Sequence, residues 1–187
     1  MLDVTGHGVA SSLLSVTATH FLSSFAEAKC PLKVIERLNQ HFSRESYSNH
    51  IFTIVYGVLD LATREFTYVS AGHPGPLLLK KGGGTVHLPT QGIPIGLFPD
   101  AEYAKAAVQL EAGDRIFLFS DGIYEVRDTQ GSDMGLERVG QRLVKDAADG
   151  MPLDYLVHSL MKDVYHWALP KKPDDDISVL ALEIKSD

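Results

Sequence analysis

The sequence predicts an α+β fold in which helices cover the faces of antiparallel sheet. Helical periodicity appears near both ends of the chain, β-branched and aromatic segments fill the middle, and one further strand follows the last helix. The chain has 187 residues, 44% of them hydrophobic, which is enough to bury a core. Because the sequence contains no internal repeat and no linker, we expect a single domain over residues 1–187.

Two amphipathic helices are predicted first. Between residues 9 and 28, larger side chains recur at helical spacing, namely Leu13, Leu14, Thr17, Phe21 and Phe25. A second helix follows Pro31, a residue that suits the first helical turn. The apolar face predicted for this second helix consists of Val34, Ile35, Leu38 and Phe42. We expect the two helices to pack against each other.

The middle of the chain predicts hairpins. Residues 51–59 and 66–71 are rich in β-branched and aromatic side chains and flank a polar turn, which favours an antiparallel pair. Residues 77–80 and 85–88 flank three successive glycines and predict a second hairpin. Two further strands are expected at residues 103–110 and 115–119.

Helical periodicity then returns before the end of the chain. Apolar residues at helical spacing run from Leu136 to Val144 and again from Leu153 to Trp167, and Pro152 opens the second of these helices. A Pro-Lys-Lys-Pro loop at residues 170–173 leads to three adjacent aspartates. The last strand is predicted at residues 177–184.

Composition and charge exclude several classes of function. The formal net charge is −7, whereas a protein whose main partner is nucleic acid needs a basic face. Cys30 is the only cysteine, so the chain forms neither an internal disulfide nor a thiolate zinc site, and a reducing cytoplasm fits best. No apolar run approaches the roughly 18 residues needed to cross a bilayer. We therefore expect a cytoplasmic protein with no nucleic-acid partner and no membrane insertion.

Three aspartates carry most of the chemical information. Asp3, Asp121 and Asp175 each lie where a β-prone segment meets a turn. Carboxylates that converge at strand ends suit Mg²⁺ or Mn²⁺, and such a site supports metal-assisted hydrolysis. Taken singly, each motif is more often something simpler: a turn or helix N-cap at the first two aspartates, and a solvated acidic loop at residues 174–176.

Five segments in order add specificity to this pattern. They are Asp3-Val4-Thr5-Gly6-His7-Gly8, Ala71-Gly72-His73, Gly92-Ile93-Pro94-Ile95-Gly96-Leu97, Gly113-Asp114 through Ser120-Asp121-Gly122, and Asp175-Asp176-Ile177-Ser178. Together they resemble the SpoIIE/RsbU-type branch of the bacterial PP2C (PPM) metal-dependent serine/threonine phosphatases. The resemblance covers nearly the whole chain.

The resemblance implies a PP2C-like α-β-β-α sandwich: two mainly antiparallel sheets flanked by helices, with two Mn²⁺ or Mg²⁺ ions at one edge. By this resemblance Asp3 would bridge the ions, the Val4 carbonyl would assist one, and Asp121 and Asp175 would complete the other. Asp176 would be a further ligand or an acceptor behind the ligands. The implied catalytic residues are the three aspartates, acting through a metal-activated water without a phosphoenzyme.

The start of the chain departs from the family pattern. Family members carry two further strands ahead of the first motif, including an acidic residue that helps to hold the second metal, whereas only Met1 and Leu2 precede Asp3 here. We expect an N-terminally incomplete domain that binds its second metal weakly. The missing strands would leave an open sheet edge, through which a homodimer could form.

The function implied by the resemblance is removal of phosphate from phosphoserine or phosphothreonine of a regulatory protein, of the anti-sigma antagonist kind, by the output domain of a bacterial signalling chain. Two alternatives stay open: a catalytically impaired PP2C-like binding module that sequesters a partner, and a phosphatase for small phosphate esters. His7 and His73 are weaker candidates for proton transfer or phosphate contact, with structural hydrogen bonding in glycine-rich turns as the alternative.

Overall fold

The computed structural model describes residues 1–4, 6, 8–25, 28–43, 51–173 and 175–186. The helices and strands follow one another in this order: β1 (Leu2–Val4), α1 (Val9–Ser23), α2 (Pro31–Phe42), β2 (Phe52–Leu59), β3 (Glu65–Ala71), β4 (Leu77–Leu79), β5 (Thr85–His87), β6 (Ala106–Gln109), β7 (Arg115–Phe119), α3 (Leu136–Ala148), α4 (Leu153–Ala168) and β8 (Val179–Glu183). They divide into two compact units. The first comprises Met1–Gly75 and Pro89–Leu110, and the second comprises Pro76–Leu88 and Glu111–Asp187.

The first unit is a four-stranded antiparallel sheet, in the order β1-β2-β3-β6, with helices α1 and α2 packed on it. The four residues predicted for the apolar face of α2 are all buried in its core. The predicted packing of α1 against α2 is confirmed, since the ring of Phe21 stacks on that of His41 with 4.1 Å between centroids. The hairpin of β2 and β3 is also confirmed.

Helix α1 differs from its prediction in length and orientation. It ends at Ser23 rather than near residue 28, and the hydroxyls of Ser23 and Ser24 donate to carbonyls of its last turn. Its buried residues are Leu14 and Ala18, whereas Leu13 is 62% exposed. Leu13, one of the residues whose spacing predicted this helix, therefore lies outside the core.

The second unit is an antiparallel sheet in the order β5-β4-β7-β8, packed against α3 and α4. Alternate residues of β4 and β7 face these helices, as the two-residue period of a strand requires. The core consists of sheet residues Leu77, Leu79, Phe117 and Phe119 with helix residues that include Val139, Leu143, Leu156, Leu160 and Val164. The predicted second hairpin is confirmed in β4 and β5.

The remaining differences concern strand ends. Strand β6 covers Ala106–Gln109, a shorter range than predicted, and Leu2–Val4 forms an additional strand that pairs with β2. Within the described residues β1 is an outer strand of its sheet. Dimerisation through this edge and the single-domain organisation stay predictions. None of the helices in the described ranges has the length and apolar character required to span a membrane.

Candidate metal centre

The second unit brings Asp121 and the acidic loop before β8 to the same end of its sheet. Strands β7 and β8 are antiparallel, and their last register pair is Phe119 with Val179. Residues that follow β7 therefore emerge beside residues that precede β8. Asp121 begins a short 3₁₀ helix directly after β7, and Asp175 lies in the loop that leads into β8.

Ser120 joins these two segments through three hydrogen bonds. Its Oγ donates to the Asp176 carbonyl at 3.0 Å and accepts the Ser178 N–H at 2.8 Å. Its own backbone N–H donates to the Ser178 carbonyl at 3.0 Å. Because Ser120 is buried, this link fixes the acidic loop relative to the end of β7. Ser120 belongs to one of the family motifs, but no role of its own was predicted for it; its position between a buried strand and an Asp-Gly pair was the available signal.

Gly122 permits the close approach of the same loop. A Cβ atom at this position would lie 2.6 Å from the carbonyl oxygen of Asp176, far inside a normal contact distance. The glycine of the Asp-Gly pair is therefore required by packing between two segments, in addition to any role in the local turn.

The carboxylate of Asp121 is the feature of this region that points to a cation. Its Oδ1 is buried and has no hydrogen-bond partner among the described residues. A buried carboxylate oxygen without a partner is unfavourable unless a cation or a donor compensates it. Asp175 adds a second carboxylate, whose Oδ1 accepts the N–H of Asp176 at 2.7 Å.

These donors fit a hard divalent ion. They are oxygen atoms only, and Mg²⁺ in particular is bound through one or two carboxylates while it keeps several waters. In the ranges that the structure describes, no group of three or more His, Cys, Asp or Glu side chains could by itself hold a metal ion. The second unit thus offers a partial ligand set of the kind that carbonyls and water complete.

Asp3 and Val4 lie in the first unit, in strand β1. Asp3 is opposite Thr53 in the register with β2, and Thr53 Oγ1 lies 3.0 Å from Nδ1 of His73. His73 is buried, and the Ser70 hydroxyl donates to its carbonyl. These contacts match the structural alternative for His73. Thr5 and His7 of the first motif, and Asp174 of the last, lie outside the described residues.

Two of the motif segments interlock within the first unit. The N–H of Gly72 donates to the carbonyl of Gly92 at 3.0 Å. A Cβ at Gly72, which has φ of 70°, would lie 2.6 Å from Pro94, and a Cβ at Gly92 would lie 2.6 Å from the Ser70 carbonyl oxygen. These glycines allow two loops to cross at backbone contact, which is a structural role.

Asp114 also has a structural role, in the second unit. Its buried carboxylate accepts the N–H groups of Glu111 and Lys81, each at 3.0 Å, and the ammonium of Lys80 at 2.9 Å. Burial alone would raise the pKa of Asp114, but these hydrogen bonds and the charge of Lys80 outweigh burial and hold the pKa below its usual range. The Gly-Asp motif before β7 therefore anchors the β4–β5 hairpin.

A cavity of about 650 Å³ lies next to the candidate metal centre, within the second unit. Gly122 and Asp175 form part of its wall, together with the segments 125–131 and 170–173. From the sequence, residues 170–173 are predicted only as a loop, because nothing local relates them to the end of β7.

The two antiparallel sheets with their four helices in the described residues define the class of protein: its fold is that of the PP2C-type phosphatases. The SiaA-PP2C domain of Pseudomonas aeruginosa matches with a TM-score of 0.85 and 21% identity, over 97% of this chain and 73% of that one. RsbX in complex with magnesium matches with a TM-score of 0.64 and 18% identity, over 96% and 77%. The predicted fold class is confirmed.

The chain belongs to the Stage II sporulation protein E (SpoIIE) family, whose model matches residues 1–185. Phosphoserine phosphatase RsbP of Bacillus subtilis (strain 168) is 29% identical over 99% of this chain and 45% of its own length. Phosphoserine phosphatase RsbU of the same organism is 31% identical over 69% of this chain and 39% of its own length. The chain thus spans less than half the length of these two relatives, and the predicted family resemblance is confirmed.

Proposed function

We propose that the protein is a metal-dependent phosphatase that removes phosphate from phosphoserine or phosphothreonine of a regulatory protein. The observation that carries the proposal is the buried Oδ1 of Asp121, which has no partner among the described residues and lies at the end of β7 beside the loop before β8. Membership of the SpoIIE family and two relatives named phosphoserine phosphatases support the reaction.

The proposed ligands come from both sequence motifs and structure. In the second unit Asp121 and Asp175 would hold a metal ion, with Asp176 as a further ligand or an acceptor behind the ligands. In the first unit Asp3 and the Val4 carbonyl are assigned by their motif alone. The ions are Mn²⁺ or Mg²⁺, two in a complete site, and the magnesium complex of RsbX supports this choice. Ions held by these residues would supply an acidified water molecule and would offset charge that develops on the phosphoryl group.

The chain's own residues position these groups. Ser120 holds the loop before β8 against the end of β7, so that the carboxylates of Asp121 and Asp175 keep their positions relative to each other. Gly122 removes the side chain that would otherwise push the loop away. The net charge of −7 disfavours the approach of a phosphate dianion, and a divalent cation at the site would offset this repulsion.

The resemblance also supports the nature of the substrate. We infer a phosphoprotein of the anti-sigma antagonist kind, acted on in the cytoplasm by a domain that is the output of a longer signalling protein. A panel that compares phosphoserine proteins with small phosphate esters separates this proposal from a small-molecule phosphatase.

The test of the reaction compares the protein with two variants. Hydrolysis of an aryl phosphate and of a phosphoserine peptide is measured with and without Mn²⁺ for the native chain, Asp121→Ala and Glu102→Ala. Glu102 is an exposed carboxylate of the first unit and serves as the control. We expect activity that requires Mn²⁺, survives Glu102→Ala and is abolished by Asp121→Ala while the circular dichroism spectrum is retained.

Two other results would change the assignment. Equal rates for Asp121→Ala and the native chain would remove Asp121 from the site. Tight binding of a phosphoprotein without turnover, in a folded and metal-loaded protein, would favour the binding module.

A further inference from the structure

The cavity beside the candidate metal centre is much larger than a phosphate group needs. Its volume of about 650 Å³ lies within the range of roughly 300–1,000 Å³ that is usual for ligand pockets. Gly122 and Asp175 contribute to its wall, so the cavity adjoins the place where the proposed reaction occurs. It can therefore hold several residues of a peptide whose phosphoserine lies at the metal centre.

The loop on one side of this cavity presents two lysines between two prolines. Lys171 and Lys172 follow Pro170 and precede Pro173, and all four residues line the cavity. The proline rings fix two φ angles, and the Lys171 N–H donates to the Ala168 carbonyl at 2.9 Å, which ties the loop to the last turn of α4. The backbone that carries both lysines is thus restrained at the cavity.

Most of the other charged side chains of the wall are already paired or assigned. Arg127 is paired with Asp133 at 3.1 Å. Asp128 Oδ1 accepts backbone N–H groups of its own turn at 2.8 and 2.9 Å, and Asp175 is assigned to the metal.

Glu125 is exposed and is the remaining acidic residue of the wall. Within the described part of the chain, neither Lys171 nor Lys172 has an ion-pair partner.

We propose that this cavity binds an acidic segment that flanks the phosphoserine of the substrate protein, and that Lys171 and Lys172 determine this specificity. The inference rests on the proposed phosphatase function and adds the chemical class of its substrate: a phosphoserine with aspartate or glutamate close by in sequence. Both lysines are exposed, so each contributes modestly to an ion pair. Together they give a preference of about five- to tenfold in kcat/KM.

The experiment uses synthetic phosphoserine peptides with three glutamates before the phosphoserine, three glutamates after it, or alanines at the same positions. The ratio of kcat/KM for the better glutamate peptide to that for the alanine peptide is measured in the native chain and in the double variant Lys171→Ala/Lys172→Ala. The matched control is Lys145→Ala/Lys162→Ala, which removes the same charge from exposed positions of α3 and α4. We expect a ratio of about five to ten in the native chain and the control, and of about one in the cavity variant.

The acidic-segment site and the phosphatase reaction are tested by separate measurements. A ratio near one in the native chain, or a ratio that the cavity variant leaves unchanged, overturns the inference even if turnover is high. Lack of any turnover of aryl phosphate with Mn²⁺ contradicts the phosphatase proposal instead. In that case fluorescence anisotropy of the labelled glutamate peptide decides: weaker binding to the cavity variant than to the control supports the acidic-segment site, and equal binding overturns it.

Discussion

Ser120→Ala removes the two side-chain hydrogen bonds that connect the end of β7 to the loop before β8. The Asp176 carbonyl loses its donor at 3.0 Å, and the Ser178 N–H loses its acceptor at 2.8 Å. A buried group left without its partner costs about 1–3 kcal/mol. Because Asp176 and Ser178 are themselves exposed, water compensates them in part. We therefore expect a loss of about 1–2 kcal/mol in the free energy of unfolding.

The larger consequence of Ser120→Ala concerns metal affinity. Residues that orient metal ligands typically contribute about 10–100-fold to affinity or activity. We expect a loss in that range for Mn²⁺ by calorimetric titration, with stability measured by urea unfolding. Ser12→Ala is the control, since it removes an exposed helical hydroxyl that donates to the Gly8 carbonyl. If Ser120→Ala binds Mn²⁺ as tightly as Ser12→Ala does, the link between the two segments does not position the site.

Two further substitutions test the packing at Gly122 and the ion pair of Asp114. Gly122→Ala places a Cβ 2.6 Å from the Asp176 carbonyl oxygen, so we expect it to lower stability by about 1–3 kcal/mol and to lower activity. The control is Gly82→Ala, which should do neither, because no atom lies within 4 Å of its added Cβ. Equal urea midpoints for the two variants would contradict this expectation. Asp114→Asn should destabilise the protein most at neutral pH. The pKa of Asp114 is lowered by folding, so its stabilising effect is present above the ordinary carboxyl pKa and fades as pH falls through the folded value. If Asp114→Asn destabilises the protein equally at neutral and at acid pH, folding does not lower the pKa of Asp114.

The spacing of apolar residues predicted correctly those helices in which apolar and polar residues lie on different faces. In α2 the four predicted apolar positions are all buried, because charged and polar residues occupy the positions between them. In α1 apolar residues lie on several sides, and Val9, Leu13 and Val16 are all more than half exposed. Periodicity alone could not identify the side that faces the sheet. The same spacing also failed to locate the end of the helix at Ser23.

The candidate site was predictable only in part, since it depends on pairing between distant segments. Strands near Asp121 and Asp175 could be located from composition, but their adjacency requires β7 to pair with β8. The Ser120–Ser178 contact spans 58 positions in sequence. The position of these carboxylates at strand ends suggested a shared metal site, but only the family resemblance gave each carboxylate its role in that site. The assignment of Asp3, Val4, Asp121, Asp175 and Asp176 as ligands stays a prediction.

The motifs that mark the family mix residues that shape the backbone with residues that carry charge. Gly72, Gly92 and Gly122 each lie where a Cβ would approach within 2.6 Å of a neighbouring atom, so their substitution would disturb activity without identifying any ligand. A change that keeps shape and removes charge is more informative, and Asp121→Asn is that change. Since the unpartnered Oδ1 of Asp121 is buried, loss of its charge should leave the metal-free protein at least as stable while Mn²⁺ affinity is lost. Thermal unfolding with and without Mn²⁺ measures both effects, and a variant that Mn²⁺ still stabilises as it stabilises the native chain would exclude Asp121 as a ligand.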